Sequence, residues 1–226
     1  MTSNTNRPIQ AHSGSPEFWR KAALSPQGGE RGERLSIYDF DGTLTVKDSM
    51  MEIITFHCGR LRLLWALLRQ IHLILLMLLG MYDNQKCKEH LLAYCFGGMT
   101  EEKFDAMCQH FAETHAHIIR TPLMEQLRRD ASEGIATYVI SASPERWVSK
   151  FVPGITVLAS KMEVVDGKIT GRLQNRNCYG QEKVNRLLAA HPDLKDHRAD
   201  YHITAYGDSK GDREMFAFAD ESHLIK

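Results

Sequence analysis

An α/β fold is predicted for this chain of 226 residues: a Rossmann-like parallel sheet, a helical cap inserted after the first strand, and a small β-hairpin. Three observations predict it. From residue 135 onward, short apolar, β-branched runs alternate with helical segments, the pattern of a parallel sheet covered by helices. Between Thr45 and that point the chain reads almost wholly as helix. Asp166-Gly167 separates two strand-like runs, a two-residue hairpin signal.

In chain order, the first segment holds Pro8, Gly14, Pro16, Pro26, Gly28, Gly29 and Gly32 among polar residues, without an apolar period. Residues 1–33 are therefore expected to form a disordered extension. The segment lacks the continuous apolar centre of a secretory signal, so the expected location is cytoplasmic. Leu35-Ser36-Ile37 then opens the first strand. The α/β core is assigned to residues 34–46 and 134–226, and the cap to residues 47–133. Within the cap, Thr100 before Glu101 and Glu102 makes an amino cap with acids in the first turn, and Thr121 before Pro122 makes another. Gly134 closes the helix that Pro122 begins. Beyond it come a strand over 135–140, a helix from Pro144, a strand over 156–159, the hairpin strands 162–165 and 168–173, a helix over 182–190, and a strand over 201–206.

Composition removes whole classes of function. The 28 basic and 28 acidic side chains balance, so no global field draws the chain to nucleic acid. The five cysteines are odd in number and form no C-x-x-C pair, which suits free thiols in a reducing compartment. No Walker phosphate loop or dinucleotide fingerprint occurs, and Ser141 lacks the flanking glycines of a hydrolase elbow. An EF-hand starting at Asp39 would need Gly and Glu where Leu44 and Met50 stand. Cys87 and His90 have zinc-ligand spacing on a helix, but buried structural residues explain the cap cysteines and histidines better.

Ligands of open α/β sheets bind beyond the carboxyl ends of the strands, so the last residues of each strand are read as one set. The first strand ends in Asp39-Phe40-Asp41-Gly42-Thr43; the second in Ser141, with Ser143-Pro144-Glu145 opening a helix; the last in Gly207-Asp208-Ser209-Lys210-Gly211-Asp212. Lys183 lies at the start of the helix before the last strand. Each residue alone has an ordinary reading as a turn, a helix cap or a solvated lysine. Together they suit phosphoryl transfer, which needs management of the charge on the phosphoryl oxygens. Asp39 can attack phosphorus while Asp41 moves protons, Asp39 and Asp208 can hold Mg²⁺, and Lys183 and Ser141 can hold phosphate, with Thr43 as a further hydroxyl donor.

These four segments resemble the motifs of the haloacid dehalogenase-like phosphatases, in the branch typified by phosphoserine phosphatase. The resemblance runs from about Leu35 to Ala219, with Cys178 to Lys183 as its third motif. It implies Asp39 as nucleophile, Asp41 as acid/base, Ser141 and Lys183 as phosphate binders, and Asp208 as a magnesium ligand. It also implies the main-chain carbonyl of Asp41 as a further ligand, and Asp212 as the residue that orients Lys183 or a metal-bound water.

The cap should choose the substrate. Residues 61–79 form a leucine-rich stretch interrupted by Arg69, Gln70 and His72. On a helical wheel Arg62 and Arg69 fall on nearly one line, with Gln70 and His72 flanking it and the remaining circumference apolar. The interruption argues against a membrane span; the stretch could lie in a membrane interface, or pack against other helices or a second copy. Similar cap helices occur in members resembling phosphatidylglycerophosphate phosphatases, which points to a lipid phosphate at the inner face of the membrane. Two alternatives stay open: a cytosolic phosphatase for a small metabolite such as phosphoserine, and a membrane-surface interaction protein without turnover. The phosphoserine branch carries a Glu shortly after the nucleophile, where this chain has Lys47-Asp48-Ser49; Asp48 is the candidate substrate-binding residue, with Glu52 nearby.

Overall fold

The computed structural model describes residues 32–226, so nearly all of the expected amino-terminal extension lies outside the described residues. The first strand, β1 (Glu33–Tyr38), starts two residues earlier than expected and sits at the centre of a five-stranded parallel sheet. Its neighbours are β2 (Ala136–Pro144) and β6 (Tyr201–Gly207); β3 (Thr156–Ser160) extends the sheet beyond β2, and β7 (Glu221–Leu224) extends it beyond β6. Both faces are covered, so four successive residues of β1, Leu35 to Tyr38, are buried rather than alternating. β7 has no counterpart in the sequence reading. Its four residues are all exposed at the sheet edge, so no apolar pattern marked them as a strand.

Six helices lie between β1 and β2: α1 (Ser49–Cys58), α2 (Arg60–Arg69), α3 (Ile71–Leu78), α4 (Asn84–Phe96), α5 (Glu101–Thr114) and α6 (Thr121–Ser132). The chain leaves and re-enters the sheet through two paired segments, with Val46 N donating to Ile118 O and Arg120 N to Leu44 O, both at 2.8 Å. Thr100 caps α5 through its side chain, accepting from Lys103 N at 3.4 Å. Thr121 instead lies inside α6: Arg120 occupies the cap position, without a side-chain hydrogen bond. Pro122, which fits a helix's first turn, starts the helix without a hydroxyl cap. Gly134, at positive φ, closes α6 and donates to Ala131 O.

The leucine-rich stretch differs from the expected continuous helix. Gln70 leaves helical geometry at φ −103° and ψ 7°, and α2 and α3 meet there at 63°. The polar residues that interrupt the apolar run mark the bend, and both helices touch α4. Arg62 and Arg69 both remain on α2, with the Arg62 guanidinium 5.6 Å from the Tyr94 ring centre, but Gln70 and His72 no longer flank them on one cylinder. No single helix among the described residues is long and apolar enough to cross a membrane.

After β2 come α7 (Glu145–Phe151), then β3, then the hairpin of β4 (Met162–Val165) and β5 (Lys168–Leu173). Asp166 at φ 50° and Gly167 at φ 69° give its turn the two left-handed residues that a tight hairpin requires. The last helices, α8 (Gln181–Ala190) and α9 (Arg213–Phe218), flank β6. One apolar cluster joins the inserted helices to the sheet through Phe40, Phe96, Phe104, Phe111, Trp147 and Phe151. A second, on the sheet's other face, packs Ile37, Ile140 and Ile203 against Leu187 and Met215.

Candidate active site

β1 ends at Tyr38, and the chain turns through a wide loop that Thr45 N closes on Phe40 O at 3.0 Å. Gly42 makes this turn possible: its φ is 76°, and a Cβ there would stand 2.1 Å from Asp208 Oδ2. Arg120 holds the loop from the far side, donating to Thr43 O at 3.1 Å and Gly42 O at 3.2 Å. No sequence motif pointed to Arg120, whose contacts lie 77 and 78 residues away.

Asp39 is buried directly after β1, and its backbone N–H is taken by Tyr206 O at 2.8 Å. Lys183, also buried, donates to Asp39 Oδ1 and to Asp212 Oδ1, each at 2.5 Å. Thr43 Oγ1 donates to Asp39 Oδ2 at 3.3 Å, fixing the carboxylate. Burial pushes the Asp39 carboxyl up to about 7, with Lys183 pulling down and Asp212 adding to the rise. Burial also works against the charge of Lys183, but its two carboxylate partners outweigh it and raise the ammonium above its ordinary value. Lys183 is therefore the fixed cation of the site.

Asp212 is fully buried, and its second oxygen accepts from Asp208 N, Ser209 N and Ser209 Oγ at 3.2, 3.0 and 3.1 Å. One oxygen thus orients Lys183 and the other shapes the loop that presents Asp208. Burial and the neighbouring Asp212 raise the Asp208 carboxyl. Oxygens of Asp39, Asp208 and Asp212 lie within 4.8 Å of one another, the one such cluster among the described residues. Cys87 and His90 assemble no such cluster there; His90 instead pairs with Tyr82.

Asp41 is held at the start of α1, its Oδ1 accepting from Ser49 N at 2.7 Å. A helix amino terminus favours the negative charge. Asp48 caps the same helix, accepting from Met51 N at 3.0 Å. Its side chain reaches solvent, yet the surrounding protein and then Asp41 raise its carboxyl. Glu52, the other acid singled out here, pairs with Lys47 at 3.0 Å.

A cavity of about 150 Å³ gathers Asp39, Asp41, Asp48, Lys183 and Asp208 in its lining, together with Lys88, Ala142, Ser143 and Ser209. Thr43 and Ser141 are fully buried and are not among its lining residues. Ser141 Oγ accepts from Ser143 N at 3.0 Å, and a register shift between Ser141 and Pro144 bulges Ala142 and Ser143 out of β2. The sequence reading had Ser143 only at the opening of the helix with Pro144 and Glu145. Lys88 carried no signal: it projects from α4, far along the chain, and donates to Ala142 O at 2.6 Å and Asn177 Oδ1 at 3.2 Å. The arrangement offers a buried carboxylate beside a fixed ammonium, a second carboxylate at the cavity wall, and a cluster of hard oxygen donors.

Comparisons with known proteins show the family of this chain. The family described as haloacid dehalogenase-like hydrolase matches residues 37–217. Protein CicA of Caulobacter vibrioides strain NA1000 / CB15N is 32% identical over 222 residues, spanning 90% of this chain and 93% of CicA. Among solved structures, a protein of unknown function from Bordetella pertussis Tohama I shares the fold at TM-score 0.71 and 19% identity, covering 85% of this chain and 90% of that one. A phosphoserine phosphatase solved as a phospho-aspartyl intermediate analogue shares it at TM-score 0.53 and 17% identity, covering 86% and 87%. The chain belongs to the haloacid dehalogenase-like hydrolases.

Proposed function

We propose that this hydrolase cleaves phosphomonoesters with Mg²⁺, through a phosphate carried transiently on Asp39. The observation that carries the reading is the buried Asp39–Lys183–Asp212 chain beside Asp208. A carboxylate can attack a phosphate dianion only where positive charge compensates both groups, and Lys183 supplies a permanent one. Asp39 attacks phosphorus, the ester P–O bond breaks, and Asp41 gives a proton to the departing oxygen. Asp41 then takes a proton from water as that water attacks phosphorus, and the bond to Asp39 breaks to release inorganic phosphate. Hard oxygen donors fit Mg²⁺: the carboxylates of Asp39 and Asp208 and the Asp41 carbonyl would hold it, while Asp212 is engaged by Lys183 and Ser209. The bound cation would supply charge compensation at the phosphoryl oxygens. Hydrolysis of p-nitrophenyl phosphate should require added Mg²⁺ and stop with chelator; turnover unaffected by chelator would remove the metal from the reading.

The proposed substrate is a lipid phosphate such as phosphatidylglycerophosphate, presented at a membrane surface on the cytoplasmic side. Leu61, Leu64, Trp65 and Leu68 form an exposed stripe on α2, and Ile71, Leu75 and Leu78 continue it on α3. From Ile53 to Tyr82 the chain has no carboxylate, while Arg60, Arg62 and Arg69 are present. An apolar face with Trp and an unopposed basic charge suits an anionic bilayer surface. Wild-type protein should co-sediment with anionic liposomes, and a Leu75→Glu/Leu78→Glu variant should lose most of that binding. Equal sedimentation of the two would remove the membrane contact. The small cavity favours a second reading, a soluble small-metabolite phosphate, and such a variant would leave its hydrolysis unchanged.

A further inference from the structure

We propose that Cys58 and Cys95 form a dithiol that a small-molecule disulfide oxidises to an intramolecular disulfide, clasping α1 to α4 at the root of the leucine-rich helices. Cys58 is the last residue of α1, and Cys95 stands next to last in α4. The two helices touch, and both cysteines pack in the same apolar cluster. Contacts on either side hold the helix ends together. The His57 and Phe96 rings lie 5.5 Å apart, and the Arg62 guanidinium lies 5.6 Å from the Tyr94 ring centre. The cysteines are thus bracketed by neighbours already in contact, and Cys58 is a hydrogen-bond partner of the Cys95 thiol.

The other three cysteines lack this arrangement: no thiol acts on Cys87, Cys108 or Cys178. Within the pair, access assigns the roles, because Cys95 is buried and Cys58 is only half-buried. Burial pushes the Cys95 thiol up to about 12, with Cys58 adding to the rise and Arg62 pulling down. Cys95 therefore stays a neutral thiol at neutral pH and does not react first. Cys58 loses its proton and attacks one sulfur of the small disulfide; the other sulfur leaves as a thiol, and a mixed disulfide remains on Cys58. Cys95 then gives up its proton and attacks the Cys58 sulfur, and the second small thiol leaves. Two protein thiols are oxidised and one small disulfide is reduced to two thiols, so electrons and protons balance.

The place of the pair gives closure its consequence. Gly59, at φ 80° with open space around its Cα, follows Cys58 directly and leads into α2. On closure, residues 59–94, which carry α2, α3 and most of α4, become a closed loop. A crosslink of that length restricts the unfolded chain and stabilises the fold where the native geometry accepts it. In a reducing compartment the pair stays open, so the clasp forms only under oxidising conditions.

Reduced protein, as the full chain, would be treated with oxidised glutathione at about pH 8 and its peptides mapped by mass spectrometry without reduction. Wild type should lose two hydrogen atoms and yield one linked pair of peptides, Cys58 with Cys95, with no glutathione on either. Its melting temperature should rise by about 5–10 °C and return when dithiothreitol is added. Cys95→Ser should stop at the mixed disulfide and keep glutathione on Cys58, whereas Cys87→Ser should close as wild type does. Three results would overturn the proposal: glutathione left on Cys58 of wild type without the crosslink, crosslinks to Cys87, Cys108 or Cys178 in equal amount, or a linked form that melts no higher. The wild-type map decides even where a variant does not fold.

Discussion

Asp39→Asn is expected to lower kcat by about 10⁴-fold or more while leaving the fold intact, because it removes the attacking oxygen itself. The change is nearly isosteric, and Thr43 and Lys183 keep a polar partner at the same place. Stability should not fall. Burial already disfavours the charged carboxylate, as its rise to about 7 records, so a neutral amide relieves a cost even as it weakens the bond to Lys183. Linkage gives the sign of a further effect in metal-free protein. A carboxyl whose pKa is raised on folding takes up a proton between the unfolded and folded values, so its contribution to stability falls as pH rises from about 4 to about 7. That contribution should be missing from Asp39→Asn, as thermal melts across this range with chelator would show.

Lys183→Met should damage stability and turnover together. It leaves Asp39 and Asp212 buried without the cation that bridges them at 2.5 Å on each side. Removing one partner from a buried ion pair costs about 3–5 kcal/mol, since the remaining charge keeps its desolvation penalty. Metal-free melts should show the full loss, and Mg²⁺ should recover part of it by compensating Asp39. kcat should fall by about 10²-fold or more even with Mg²⁺, because the preorganised charge near the phosphoryl oxygens is gone. Unchanged melting would mean that the two acids do not depend on Lys183.

β1, β2 and β6 were legible because each carries its own apolar run and ends in chemistry-bearing residues. Asp39, Asp208 and Asp212 could be placed together by the rule that parallel strands deliver ligands at their carboxyl ends, and Lys183 joined them from the start of the helix before the last strand. The parts that were not legible depend on contacts across the chain. Lys88 on α4 lies 54 and 89 residues from its partners and Arg120, at the cap position of α6, lies 77 and 78 from its own, and no local pattern separates either from a solvated cation. The break at Gln70 is a backbone choice inside a run whose composition fits one helix as well as two. β7 is held by pairing with β6 alone, so its residues carry no sign of burial.

A covalent phosphate on Asp39 is the central claim, and acid-quenched reactions followed by peptide mass spectrometry test it most directly. Wild-type protein mixed with p-nitrophenyl phosphate and Mg²⁺ and quenched within milliseconds should carry one phosphate on the peptide spanning Asp39, and Asp39→Asn should carry none. Rapid turnover by wild type with no phosphorylated peptide, or with the phosphate on Asp41 or Asp208, would contradict it.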